Sequence, residues 1–388
     1  MKTLRWLFPL FAAALLSACH KQNPDPASGT SPKDPVVSVD PSPASVYKWG
    51  LRELAQANKL MIGAEFTHGE YSDDSLRVVL KRDFEAVTFG NEMKHDCIVT
   101  ANGGYYFNWV DEMVGWTRDC GVKLFGHTLG WHSQQQTDYL DKLIAGASDA
   151  DDAASKVRQA HKDWVDAMVH HFDVYAWDVV NEVFEDGQGA WRNKDNTRPN
   201  NPYHIFLWGS YYAGGTKEFV DTAFRTAKEA LEREGKTADL YINDYNLEGT
   251  WPGARLKLEA LCKYAEQNPD VTGVGSQMHI SADADREGIR NMLERMVKTG
   301  KKVRISELDV AAGNTDQGET IVYIFDQYLK IVPESQRGGI TFWGVSDKHS
   351  WLGSDKMPLL YDSKYNRKAS YLKLHAFLLE RSGLEGGA

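Results

Sequence analysis

From residue 46 onward, short apolar runs alternate with stretches whose apolar residues recur every three or four positions. The short runs read as strands: Met61–Phe66, Ala86–Asn91, Lys123–Thr128, Val174–Asn181, Asp239–Asp244, Gly273–Met278, Lys302–Leu308 and Gly339–Val345. Several are apolar without alternation, as parallel strands covered on both faces are. The longer stretches read as amphipathic helices. Val157, His161, Trp164, Val165 and Met168 mark one stripe. Phe219, Val220, Ala223, Phe224, Ala227 and Leu231 mark a second, and Ile289, Met292, Leu293, Met296 and Val297 a third. Eight strands interleaved with helices predict an α/β fold, a closed (β/α)8 TIM barrel forming one catalytic domain over residues 46–388. No repeat of fixed period is visible, which argues against a solenoid.

Two connections are long, Gly130 to Asp152 and Val183 to Thr216. Both follow C-terminal strand ends, where barrels of this kind carry their sites. The second is dense in Trp, Tyr, Asn and Gly and shows no helical period. It is expected to face a substrate, the alternative being a solvated insertion.

The first 45 residues differ. Lys2 and Arg5 precede an apolar run, Trp6 to Ala18, too short to span a bilayer as a helix. A basic start, an apolar middle and small residues before a cut describe a secretory signal over residues 1–18. Leu16-Ser17-Ala18-Cys19 looks like a bacterial lipoprotein signal, in which Cys19 becomes the lipidated first residue. The alternative is a soluble secreted protein with Cys19 discarded. Residues 19–45, rich in Pro, Ser and Asp, read as a flexible tether. The expected location is the bacterial outer membrane, at the cell surface or on the periplasmic face, with membrane lipid held through Cys19. Cys97, Cys120 and Cys262 remain, an odd number that leaves at least one free thiol or an intermolecular bond.

Composition narrows the chemistry. In 388 residues, 44 Lys and Arg face 54 Asp and Glu, a formal charge of −10. The acidic balance argues against a nucleic-acid partner. Twelve Trp and seventeen Tyr supply flat faces for flat apolar ligands, or simply core filling.

Polar residues gather at the predicted strand ends: Asn91 to Lys94, His127 to Gln134, Asn181 and Glu182, Asn243 to Asn246, Gln277 to His279, Glu307 to Asp309, and Trp343 to Asp347. There is no phosphate loop and no dinucleotide fingerprint. Carboxylates at the ends of the fourth and seventh strands suit a retaining glycosidase, whose two carboxyls stand about 5–5.5 Å apart. An amide beside the acid, as Asn181 is beside Glu182, can bond a sugar hydroxyl. A His279–Asp309 pair would hold Glu307 oriented and ionised. Taken singly, each of these residues is as well explained by a surface carboxylate, a core histidine or a packed indole. Their convergence from seven strand ends is what points to a site.

From Val46 to Leu379 the chain resembles the endo-β-1,4-xylanases of glycoside hydrolase family 10. The resemblance is carried by Asn91-Glu-Met-Lys94, Gly126-His-Thr-Leu-Gly-Trp-His-Ser-Gln134, Trp177-Asp-Val-Val-Asn-Glu182, Tyr241-Ile-Asn-Asp-Tyr-Asn246, Gly275-Ser-Gln-Met-His279, Ile305-Ser-Glu-Leu-Asp309 and Trp343 to Trp351. It implies cofactor-free and metal-free hydrolysis of internal bonds in xylan, or in arabino- or glucuronoxylan, by a monomer. Glu182 is then the acid/base and Glu307 the nucleophile. Asn181 holds the sugar at the cleavage point, while Gln277 and His279 support the carboxylates with Asp309 behind. The resemblance further implies that Asn91, Lys94, His127, Trp131 and Gln134 line the non-reducing side. Trp343 and Trp351 cap the cleavage point, and Tyr245 faces the leaving group. Two positions depart from the family pattern near the second non-reducing subsite: Gly90 where many members have Glu, and His95 where Trp is usual. Gly90 leaves a gap for water, a neighbouring side chain or a sugar branch. Two other readings stay open, a barrel glycanase acting on cellulose or mannan, and a surface glycan-binding lipoprotein with an inactive barrel. Intact Glu182 and Glu307 argue against the second.

Overall fold

The structure, a computed structural model, describes residues 48–197 and 205–385. The signal over residues 1–18, the lipidation site Cys19 and the tether over residues 19–45 lie outside the described residues. Among the described residues, no helix is long and apolar enough to cross a membrane.

Nine strands are present among the described residues: β1 Ile62–Phe66, β2 Ala86–Phe89, β3 Lys123–Gly130, β4 Ala176–Asn181, β5 Asp239–Asp244, β6 Gly273–Ser276, β7 His279–Ser281, β8 Lys302–Ala311 and β9 Arg337–Phe342. Each pairs in parallel with its neighbours, and β1 pairs with β9, so the sheet closes. β7 carries on from β6 and pairs only with β8, while β6 also pairs with β8. Eight staves therefore form the expected (β/α)8 barrel. The sixth is broken where the sequence predicts one run, because Met278 takes a left-handed φ of 60°. Parallel neighbours require crossovers, and helices supply them. Asp73, Asp149, Asp285 and Asp316 each accept a backbone N–H at a helix start, satisfying donors that would otherwise lack partners. The three apolar stripes lie on helices Ala150–His171, Gly215–Glu234 and Arg286–Val297, and face the sheet.

The first long connection, Gly130 to Asp152, contains helix Thr137–Ala145 and the start of the next helix. In the second, a bridge joins Phe184 to Trp191 and a short 3-10 turn spans Trp208–Tyr211. Phe206, Trp208 and Tyr212 are buried rather than offered to a ligand. The Trp208 indole donates to the Trp131 carbonyl at 3.1 Å, so this segment buttresses the loop after β3 from behind. Cys97, Cys120 and Cys262 are all buried.

A packed floor fills the lower barrel. Arg304 lies 3.5 Å over the Phe125 ring and donates to the hydroxyls of Tyr175 and Thr341, both at 2.7 Å. Tyr241 packs against Phe125 beside it. With the lumen plugged, the open cleft lies above, at the C-terminal strand ends.

The first and last helices of the described residues close on Asp83. Its buried carboxylate accepts from the Leu51 N–H (2.9 Å), the Tyr371 hydroxyl (2.8 Å), the Tyr361 hydroxyl and Arg82 (2.9 Å). This ties the first helix, Leu51–Ala57, to the last, Ala369–Ser382. Asp83→Ala would leave four donors facing an empty site. A loss of about 3–5 kcal/mol, the usual result of breaking a buried ion pair from one side, is expected in urea unfolding. A variant as stable as the parent would contradict this role.

Candidate active site

Alternation alone does not aim the polar residues of β4 and β8 into the cleft. Pairing of β8 with β9 shifts register between Ile305 and Leu308, and pairing of β4 with β5 shifts between Asp178 and Val180. Such irregularities re-aim side chains. Consecutive Ser306 and Glu307 thereby both reach Asn243 of β5: the Ser306 hydroxyl donates to the Asn243 carbonyl at 2.7 Å, and Asn243 Nδ2 donates to Glu307 Oε1 at 2.9 Å. On β4, Asp178 meets His127 and Asn181 meets Asn243.

Glu307 is 4% exposed, and its second oxygen lies 3.2 Å from His279 Nε2. His279 Nδ1 lies 2.8 Å from Asp309, which also accepts from the Trp351 indole at 2.8 Å. Burial opposes charge on His279, but Asp309 and then Glu307 outweigh it and push its pKa up to about 10. The nucleophile candidate therefore faces an imidazolium.

Glu182 follows the last residue of β4 and has a left-handed φ of 56°. Its N–H donates to the Asn243 carbonyl at 2.9 Å, and its own carbonyl accepts from Arg192 at 2.9 Å. These bonds hold the turn that lifts its carboxylate over the mouth. Gln277 Nε2 donates both to Glu182 (3.0 Å) and to Asn181 (3.2 Å). Asn181, Glu182, Gln277, His279, Glu307 and Asp309 thus form one hydrogen-bonded network, as their strand-end positions predicted.

The remaining candidates flank it. Lys94 donates to Gln134 at 2.7 Å and to Asn91 at 3.3 Å, and lies 4.8 Å over the Trp131 ring. His127 Nδ1 lies 2.8 Å from buried Asp178, and burial lowers the His127 pKa to about 4. The Trp343 ring stands 5.4 Å from His127 and 6.3 Å from His279, joining the two sides. Tyr245 sits opposite, donating to Asp186 at 2.9 Å and accepting from Arg192 at 3.3 Å.

His95 is placed elsewhere. It packs between Trp164 and Trp208 and accepts the Gln136 N–H at 2.9 Å, so it supports the loop after β3 from outside the cleft. Burial lowers its pKa to about 3, and it stays neutral. At Gly90 the gap is taken by a neighbour, the Glu65 side chain.

Two contributors had no role assigned from the sequence. Asn243, one of the polar strand-end residues, bonds the Glu307 carboxylate and the Glu182 N–H and stands two residues after inward-facing Tyr241, a signal that period-two alternation carries. Lys257 carried no signal, being one lysine on a helix. It is fully buried, 2.7 Å from Asp244 and 2.9 Å from Asp186, and lies 3.5 Å from the Tyr245 ring centre. Burial pushes Asp244 up to about 6 despite Lys257 beside it.

Residues 50–376 match the family model described as Glycosyl hydrolase family 10. The endo-beta-1,4-xylanase Xyn10C of Cellvibrio japonicus is 27% identical over 339 residues, 78% of this chain and 52% of that protein. Endo-1,4-beta-xylanase 3 of Hypocrea jecorina is 29% identical over 321 residues, 82% of each chain. The chain thus spans about half of the first relative and four-fifths of the second. Among solved structures, xylanase 10B from Thermotoga petrophila in complex with xylobiose superposes with a TM-score of 0.70 at 28% identity, covering 86% of this chain and 98% of that one. The Cellvibrio japonicus xylanase 10C complex with xylopentaose gives a TM-score of 0.72 at 25% identity, with 85% and 69% covered.

The His279 charge can be tested directly. A raised histidine pKa adds stability that is complete below the ordinary value of 6.5 and is lost as pH rises through about 10. Asp309→Asn removes the larger of its two anionic supports. The His279 titration, followed by NMR of the imidazole, is expected to move to lower pH, and the gain in stability to end at lower pH. An unmoved titration would show that Asp309 does not set this charge.

Proposed function

The chain belongs to glycosyl hydrolase family 10, and from that premise we propose that it is an endo-acting, retaining β-1,4-xylanase. The observation that carries the reading is the shared network of Glu182 and Glu307. The Asn243 backbone carbonyl accepts the Glu182 N–H and its side-chain amide donates to the Glu307 carboxylate, while Gln277 holds the Glu182 carboxylate. Double displacement uses that arrangement as follows. Glu307 attacks the anomeric carbon while Glu182 protonates the leaving oxygen. Water, deprotonated by Glu182, then attacks the glycosyl–enzyme ester and releases Glu307. His279, 3.2 Å from one Glu307 oxygen, and Asn243, 2.9 Å from the other, fix the orientation of the nucleophile. Gln277, donating to both Glu182 and Asn181, keeps the acid and the sugar-binding amide in register.

Asn91, Lys94, Gln134 and Trp131 are assigned to the non-reducing side, Trp343 and Trp351 to the cap over the cleavage point, and Tyr245 to the leaving-group side. Indoles can close over xylose because it lacks the hydroxymethyl arm of glucose, and selectivity then comes from exclusion. Undecorated xylan and arabino- or glucuronoxylan are the substrates, the chain acts as a monomer, and no cofactor takes part.

Glu307→Ala should leave the fold intact and lower kcat on xylan by several powers of ten, as loss of a covalent catalyst does elsewhere. Glu182→Ala should lose far more on xylan than on aryl xylosides with good leaving groups, because a general acid matters most for poor ones. Azide should then yield a β-linked glycosyl azide. Equal losses on both substrates with no azide adduct would transfer the acid role elsewhere.

We also propose that Cys19 anchors the protein in the bacterial outer membrane. Its place directly after Leu16-Ser17-Ala18 supports this. Stable anchoring needs more than one acyl chain, which a lipoprotein cysteine carries. Cys19→Ala should release the protein to the soluble fraction or stall its export. A mutant that is exported and still partitions with membranes would sink the assignment.

A further inference from the structure

β1 brings one more carboxyl group to the mouth of the barrel. Phe66 packs outward, its ring centre 5.3 Å from Phe89 and 5.4 Å from Trp116 of helix Asn108–Asp119. Successive strand residues face opposite ways, so Glu65 faces inward. It remains 8% exposed. Its carboxyl lies where a side chain at position 90 would begin: a Cβ on Gly90 would stand 1.9 Å from Glu65 Oε1 and 2.9 Å from its Cδ.

Neighbouring carboxylates take protein partners, although one oxygen of Glu70 has none among the described residues. Glu92 accepts the N–H groups of His68 (2.7 Å) and Asn91 (3.2 Å), and Glu70 accepts the Thr67 N–H at 3.0 Å. Among the described residues, no hydrogen bond or ion pair reaches the Glu65 carboxyl. A buried carboxyl without a partner is costly, and such a group calls for an explanation. Two functional groups of the cleft, Lys94 and Glu307, lie close enough to act on its charge. The group lies beside Gly90, where β1 pairs with β2, the strand that leads into Asn91 and Lys94. Burial first, then Glu70 and Glu92, push its pKa well above the usual carboxyl range. That favours the neutral acid, which both donates and accepts a hydrogen bond, as a sugar hydroxyl does.

We propose that Glu65 is a substrate-binding residue whose carboxyl bonds the hydroxyls of the xylose unit one place to the non-reducing side of the cleavage point, and that Gly90 is what makes room for it. This rests on the xylanase reading of the cleft above. Specificity for a second xylose then comes from β1 rather than from the loop after β2. The missing side chain at 90 is compensated from the neighbouring strand, with which β1 pairs over Gly63 to Phe66.

The test compares an aryl β-xyloside, which fills only the cleavage point, with the matching aryl β-xylobioside, which adds the next xylose. Glu65→Ala should lower kcat/KM on the xylobioside about tenfold more than on the xyloside, the usual weight of one such hydrogen bond. Glu65→Gln, an isosteric mimic of the neutral acid, should recover most of that difference. Gly90→Ala should reproduce the loss, because the clash is with the flexible end of Glu65 and displaces it without unfolding the chain. Equal losses on the two substrates in Glu65→Ala, or no difference among the three variants, would reduce Glu65 to a structural group and overturn the proposal. A parent enzyme that cleaves neither substrate nor xylan would overturn the xylanase reading itself, and this one with it.

Discussion

The cleft depends on one side chain, Asn243. Its carbonyl oxygen is held by the Ser306 hydroxyl, which turns its amide toward Glu307 and Asn181, at 2.9 and 3.0 Å. Its backbone carbonyl accepts the Glu182 N–H. The two carboxylates come from strands far apart in the chain, and β5 lies between β4 and β6. Asn243 thus fixes the Glu307 carboxylate through its side-chain amide and the Glu182 backbone through its carbonyl, with Gln277 on the Glu182 carboxylate, before any substrate arrives. Preorganised dipoles of this kind cost no reorganisation during reaction.

Around that centre the buried charges come in compensated sets. His279 lies between Glu307 and Asp309. Lys257 lies between Asp244 and Asp186, beneath the Tyr245 ring. Desolvating ions is costly, and pairing offsets that cost only when geometry is good. The result is a rigid wall on each side of the cleft rather than a gain in stability. Glu65 is the exception, a carboxyl near the cleft without a hydrogen bond or ion pair among the described residues, which is why the proposal above gives it a ligand.

Much of this was legible in the chain. Strand β5 falls exactly on its predicted residues because Asp239–Asp244 is a compact run between a polar turn and the Tyr245–Asn246 turn. Other strands differ at their ends by one to three residues, where local pattern fades into loop. The aromatic-rich segment after Val183 was harder to read. An indole that stacks on sugar and one that fills a core look alike in sequence, and Trp208 proved to be the second kind.

Apolar runs and helical stripes were enough to specify the barrel, because burial on both faces of a parallel sheet leaves an unmistakable pattern. Ordered motifs at strand ends anticipated that Glu182, Glu307, Asn181, Gln277, His279 and Asp309 would meet, because the C-terminal mouth collects whatever those ends carry. Three things required the folded chain. Register shifts in β4 and β8 decide which consecutive residues turn inward, and a shift depends on the partner strand. Lys257 becomes part of the site only when its helix packs against the loop carrying Asp186. Gly90 reads as a gap in one dimension, yet in three dimensions Glu65 occupies it, because side chains of paired strands meet on a face that no linear pattern records.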